Sequence, residues 1–145
     1  MNYTCRKLIA VIRLFIPAIL FFIITVVLLT LPGSAFPDEN WMGKIHFDKF
    51  IHIGLFSMLT FLYCWGFYRR HHQVNAHDAE RKLEQRSLLR AFILTAMVTF
   101  LYGIIMEYVQ RDFIPNRSFD SGDILADGAG SLAGFLYSRY RFIKK

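Results

Sequence analysis

Charged residues are scarce in this chain of 145 residues: Asp, Glu, Lys and Arg make up 19% of it, whereas 54% is hydrophobic. None of these four residue types occurs in 14–37, 50–68 or 91–106. About 20 helical residues cross a hydrocarbon core that is about 30 Å thick. The uncharged stretches therefore predict membrane-spanning helices and exclude an ordinary soluble domain. The length is sufficient for one domain and too short for two.

Cysteine is almost as scarce, since the chain has only two, Cys5 and Cys64. Two cysteines provide neither a disulfide framework nor a metal-ligand pattern. The first apolar run follows a basic start, as in a secretory signal peptide, but it is longer than the roughly 7–15 apolar residues of such a signal. We therefore expect a retained membrane anchor.

The basic residues indicate the topology. Thirteen of the 17 basic residues lie before the first apolar run, in the loop at 69–90 or in the C-terminal tail. The exceptions are Lys44, Lys49, Arg111 and Arg117. A short fourth segment, 128–138, must cross if the basic tail is to lie with the other basic residues in the cytoplasm. We expect an all-α fold in one domain, 1–145: an integral membrane four-helix bundle of about 12–31, 50–68, 91–110 and 123–140, N-in/C-in.

The net charge of +6 is then mainly a topology signal. It requires no nucleic-acid partner, although basic flanks favour anionic lipid headgroups.

Polar side chains from three helices reach a similar depth below the outer surface. His52, Glu107 and Asp127 each lie about one turn, or 6 Å, inside a helix end. Asp48 shares a helix face with His52, and Asp123 shares one with Asp127. Ionisable groups at this depth usually face other helices or a wet cavity. The candidate catalytic residues are His52, Glu107, Asp123 and Asp127, and the candidate substrate-binding residues are Asp48, Lys49, Gln110, Arg117 and Asp120.

A purely structural interpretation stays open, in which these groups mark the membrane boundary or form interhelical ion pairs. The segments 59–68, 91–99 and 128–138, which would form the inner half of the bundle, contain no Asp, Glu, His, Lys or Arg. This argues against a path for protons or ions through the membrane. Gly130 and Gly134 have the GxxxG spacing. It favours close packing within the chain, with a homo-oligomer through this face as the alternative.

The residues that carry the polar groups resemble three ordered motifs of the VanZ-like family of bacterial membrane proteins. They are Asp48-Lys49-Phe-Ile-His52, then Glu107-Tyr-Val-Gln110, then Arg117-Ser-Phe-Asp120-Ser-Gly-Asp123-Ile-Leu-Ala-Asp127-Gly-Ala-Gly130. The family often has Asn at the position of Asp127. The resemblance implies a transmembrane fold and a cell-envelope role, with a link to resistance against the glycopeptide teicoplanin. It also implies localisation in a bacterial cytoplasmic (inner) membrane, and it implies no particular reaction.

We therefore expect an outward-facing polar pocket that binds or modifies a lipid headgroup or a lipid-linked cell-wall intermediate. His52 or Glu107 would act as base and a protonated carboxylate as acid. The alternative is a non-enzymatic membrane scaffold or shielding protein. No cofactor is expected. A metal held by His46, Asp48, His52 and Glu107 is less favoured, because the spacing matches no strong zinc signature.

Overall fold

The structure is a computed structural model that describes residues 3–32, 47–74 and 81–143. The described residues form four α-helices and no β-strand: α1 (Tyr3–Thr30), α2 (Phe47–Val74), α3 (Arg81–Phe113) and α4 (Ser121–Phe142). An all-α fold is thus confirmed for this part of the chain. All four helices begin earlier than expected and three end later, because hydropathy marks only the apolar part of a helix.

Three of the helices are long and apolar enough to cross a membrane. Their candidate spans are Ile9–Thr30, Asp48–His72 and Gln85–Phe113, with mean hydropathy values of 2.8, 1.6 and 2.0. α4 is not among them, since Asp123, Asp127 and its two terminal arginines lower its hydropathy. The expectation of a membrane-spanning protein is confirmed at this level.

The helices run alternately up and down. Phe15 of α1 packs on Phe67 of α2, whereas Leu29 at the other end of α1 packs near Phe56. α1 and α2 are therefore antiparallel. α3 is antiparallel to α2, while α4 is parallel to α2 along its whole length, from Asp123 beside Lys49 to Phe142 beside Tyr68. α1 contacts α2 and α3, and within the described residues it does not approach α4.

α2 and α4 form the largest interface of the bundle, and glycines bring their backbones together. A Cβ atom at Gly130 would lie 2.6 Å from the Ile53 carbonyl oxygen, and one at Gly134 would overlap the Ser57 carbonyl oxygen. Small residues permit this approach. The GxxxG face is thus occupied within the chain, as the first interpretation expected. A homo-oligomer through the same face would require α4 to leave α2.

The buried face of α4 is more polar than its exposed face. Its buried stripe contains Asp123, Asp127, Ser131 and Ser138, whereas Leu125 and Leu132 on the other face are 75% and 54% exposed. A helix at a water-exposed surface has the reverse arrangement.

Hydroxyl groups also join three helices at mid-height, where Thr99 bonds Thr60 at 2.8 Å and Ser131 at 3.2 Å.

Candidate functional site

The polar residues gather at one end of the bundle, which we call the acidic end. It consists of the first turns of α2 and α4, the last turns of α3 and the connection 114–120. This connection turns sharply at Asn116, whose φ of 59° is left-handed, a conformation that Asn tolerates well. His46 of the less favoured metal hypothesis lies outside the described residues.

The Lys49 ammonium lies among three carboxylates. Its Nζ atom is 2.5 Å from Asp120 Oδ2, 3.0 Å from Asp123 Oδ1 and 3.5 Å from Asp48 Oδ2. These carboxylates come within 4.8 Å of one another, a spacing that suits a cation. The lysine ammonium already provides that positive charge. We call these four residues the lysine cluster.

His52 lies one turn deeper and bonds Asp127. The distance from His52 Nδ1 to Asp127 Oδ1 is 2.8 Å, and His52 Nε2 is 3.9 Å from Asp123 Oδ2. His52 and Asp127 are both buried, and the imidazole stacks on the Phe56 ring. Gly103 makes room for this pair, because a Cβ atom there would overlap the Asp127 carboxylate. The pair is thus fixed from three helices.

Glu107 joins α3 to the beginning of α4. Its side chain is buried, and Oε1 accepts a hydrogen bond from the Asp120 backbone N–H at 2.5 Å. The Asp120 side chain in turn accepts from the Gly122 N–H at 2.7 Å and caps α4. Asp120 therefore fixes the position of α4 as well as neutralising Lys49. The sequence signal for this cap is an Asp followed three residues later by a second acid.

Exposure falls steadily into the site. The side chains of Asp48 and Asp120 are 50% and 45% exposed, and that of Lys49 is 25% exposed. The corresponding values for His52 and Asp127 are 6% and 2%. A ligand that approaches the acidic end would therefore meet the lysine cluster first and the His52–Asp127 pair below it.

Two expected binding residues have other surroundings. The Gln110 side-chain amide donates to the Leu29 backbone carbonyl at 2.8 Å, so it links α3 to the end of α1. Arg117 is half-buried in the connection, three residues before Asp120. Their assignment as binding residues stays a prediction, and the bond from Gln110 gives α1 a polar contact that the sequence did not indicate.

The geometry determines which atom of His52 is available for chemistry. When Asp127 accepts a hydrogen from Nδ1, the neutral imidazole presents Nε2 as a proton acceptor. A carboxylate that orients an imidazole in this way also stabilises the protonated ring. Asp123, on the other side of the ring, adds a second negative charge near Nε2. The arrangement can accept and return a proton.

Comparison of the chain with protein-family models, curated proteins and solved structures found no match.

Proposed function

We propose that this chain is a VanZ-like protein of the bacterial cytoplasmic membrane, and that its acidic end binds the headgroup of an amphiphile in the outer leaflet. A lipid or a lipid-linked cell-wall intermediate has the required chemistry, and a link to glycopeptide resistance belongs to the same proposal. The observation that carries it is the buried His52–Asp127 pair beneath the half-exposed lysine cluster. Buried ionisable groups of this kind in membrane helices usually have a function.

The proposed topology has four crossings with both chain ends in the cytoplasm. α4 runs beside α2, which is itself a candidate span, from Lys49 to Tyr68, and its apolar side chains Leu125 and Leu132 face outward. Asp123 and Asp127, which lower its hydropathy, are buried against the other helices, and Arg139 and Arg141 lie in its last turn. Arg69, Arg90 and Arg139 lie at the end of the bundle opposite the acidic end, as the positive-inside rule requires for this orientation.

The proposed chemistry is general base catalysis by His52. A hydroxyl group or water bound at the acidic end would transfer a proton to Nε2, while Asp127 and Asp123 stabilise the imidazolium. A phosphate on the ligand would replace one of the carboxylate partners of Lys49. The hydroxyl group and the phosphate of the headgroup would then be held by His52 and Lys49, both from α2.

A non-enzymatic scaffold or shielding protein is the second candidate. One observation favours it: Lys49, His52 and Glu107 each have a partner within the chain. The network is therefore satisfied without a ligand, and it could serve only to hold three helices together.

The test is an assay of the purified protein against a panel of bacterial lipids and lipid-linked precursors, with two variants. His52→Gln removes the imidazole that would accept the proton. Asp112→Asn removes an exposed charge near the same end of the bundle, where Asp112 bonds only Arg111 in the described structure. For an enzyme, His52→Gln should lower turnover by a factor of about 10² to 10⁴, and Asp112→Asn should leave it unchanged. Binding without turnover in all three proteins would support the scaffold, and an equal loss in both variants would contradict the assigned site.

A further inference from the structure

A second feature of the bundle lies on the side away from α4, between α1 and α3. Here a cleft of about 410 Å³ opens laterally toward the surroundings. Its floor is formed by Leu59, Tyr63 and Phe67 of α2, and its wall by a face of α3 that extends from Ala91 to Tyr102. This volume lies within the range of sites that hold small molecules.

The lining of the cleft is apolar even where it contains threonine. The Thr95 hydroxyl donates to the Ala91 carbonyl at 2.8 Å, and the Thr99 hydroxyl donates to the Thr95 carbonyl at 3.0 Å. Both hydroxyls thus have partners within the bundle, and Thr99 also contacts Thr60 and Ser131 on the neighbouring helices. Leu94 and Val98 on the same wall are 60% and 63% exposed. In a bilayer, the occupant of such a surface is hydrocarbon.

The cleft is closed toward the acidic end. Tyr102 lies there against Phe22 of α1, and its hydroxyl is 3.3 Å from the Thr25 hydroxyl. Beyond Tyr102, the buried cluster of Leu29, Phe56 and Met106 separates the cleft from His52. An occupant of the cleft therefore has its polar head at the opposite end of the bundle, and this site is independent of the proposed function.

The length of the cleft matches one leaflet. Residues 91–102 extend along α3 for about 16 Å, which is close to half of a hydrocarbon core about 30 Å thick. One acyl chain of one leaflet has this reach. A chain that entered from the end opposite the acidic end would stop at Tyr102.

Arginines occur where the headgroup of such a lipid would lie. Arg90 directly precedes Ala91 of the wall, and Arg70 lies one turn beyond Phe67 of the floor; both are exposed. No ion pair joins Arg70 or Arg90 to a carboxylate among the described side chains. A guanidinium binds phosphate through two parallel hydrogen bonds. Basic residues at the cytoplasmic surface also attract anionic lipids.

We propose that the cleft between α1 and α3 holds one acyl chain of an anionic phospholipid, whose phosphate contacts Arg70 and Arg90. The apolar wall binds the acyl chain, and the arginines favour a headgroup with negative charge. Such a lipid would also fill the space between two helices that make their side-chain contacts mainly toward the acidic end.

The test measures retention of phosphatidylglycerol and of phosphatidylcholine, with identical acyl chains, by the full chain purified in detergent. Native mass spectrometry counts the lipids bound to each protein. We expect one phosphatidylglycerol to be retained in preference to phosphatidylcholine. Replacing both Arg70 and Arg90 by Gln should weaken phosphatidylglycerol binding by about tenfold or more, whereas Arg139→Gln, on α4 at the same end, should not.

A second pair of variants tests the acyl chain. Val98→Phe fills the cleft, and Met97→Phe adds the same bulk at a neighbouring position that is also exposed but does not line it. Val98→Phe should abolish retention and Met97→Phe should not; Leu94→Phe provides a second cleft variant if Val98→Phe folds poorly. Equal retention of both lipids in all variants would overturn the proposal. A stable lipid-free dimer would also overturn it, because a second copy would then fill the cleft.

Discussion

A single methyl group at Gly130 should disturb both the helix packing and the His52–Asp127 pair. In Gly130→Ala, the new Cβ atom would lie 2.6 Å from the Ile53 carbonyl oxygen and 3.0 Å from the Phe56 Cβ atom. Ordinary contacts of this kind begin near 3.4 Å. Because the nearest obstacle is backbone, α4 must move by roughly 0.8 Å.

The displacement has two costs, overpacking and the loss of the hydrogen bond between Asp127 and His52. Overpacking of this kind costs about 1–3 kcal/mol, and the better helix propensity of Ala offsets up to about 1 kcal/mol of it. Asp127 lies one turn from Gly130, so its bond to His52 would lengthen from 2.8 Å toward roughly 3.6 Å, beyond hydrogen-bond range. The packing change should therefore cost about 0–2 kcal/mol net. The loss of the hydrogen bond adds about 1 kcal/mol, so we expect the variant to be less stable by about 1–3 kcal/mol in total.

Thermal unfolding in detergent, followed by intrinsic fluorescence, measures this effect. A loss of about 1–3 kcal/mol corresponds to a melting temperature lower by roughly 2–12 °C. Gly54→Ala is the matched control, because nothing lies within 4 Å of a Cβ atom there. It should be neutral, or more stable by up to about 1 kcal/mol. Equal melting temperatures for Gly130→Ala and Gly54→Ala would refute the close contact between α2 and α4.

Two further predictions concern topology and charge. In intact spheroplasts of a variant without Cys5, a cysteine at Ser118 should react with an impermeant thiol reagent, and one at Lys144 should not. Buried Cys64 should stay unlabelled. Labelling at position 144 would contradict the four-crossing topology. Lys49→Ala leaves three carboxylates within 4.8 Å of one another without the ammonium, so it should unfold at lower temperature and recover with millimolar calcium, because carboxylate oxygens are ligands for this ion. Failure of calcium to raise its melting temperature, relative to its effect on the wild type, would show that Lys49 does not balance this cluster.

The sequence predicted the helices well, since the physical signal is strong. Long uncharged stretches have few alternatives to membrane helices, and 50–68 and 91–106 lie wholly within α2 and α3. The level of the polar groups also followed from simple arithmetic, because the helical rise is constant. This arithmetic placed His52 and Asp127 at one depth, and they bond each other in the structure.

The partners of individual side chains could not be predicted in the same way. Depth along a helix does not give its rotation, so the bond from Gln110 to α1 and the carboxylate cluster around Lys49 required coordinates. The cleft between α1 and α3 was not indicated either. It lies between two apolar helices, whose sequences show the same pattern whether they face lipid or a cavity.

The most direct test of the central claim is nitrogen-15 NMR of the His52 ring in lipid nanodiscs, with His52→Gln used to assign its signals. The spectra are compared without and with each lipid or lipid-linked precursor of the panel. Our account predicts that the Nδ1 signal stays that of a nitrogen bonded to Asp127, while the Nε2 signal shifts when the ligand of the acidic end is added. An Nε2 signal that no ligand of the panel shifts, in a protein whose fold is intact, would contradict the claim that His52 faces a headgroup.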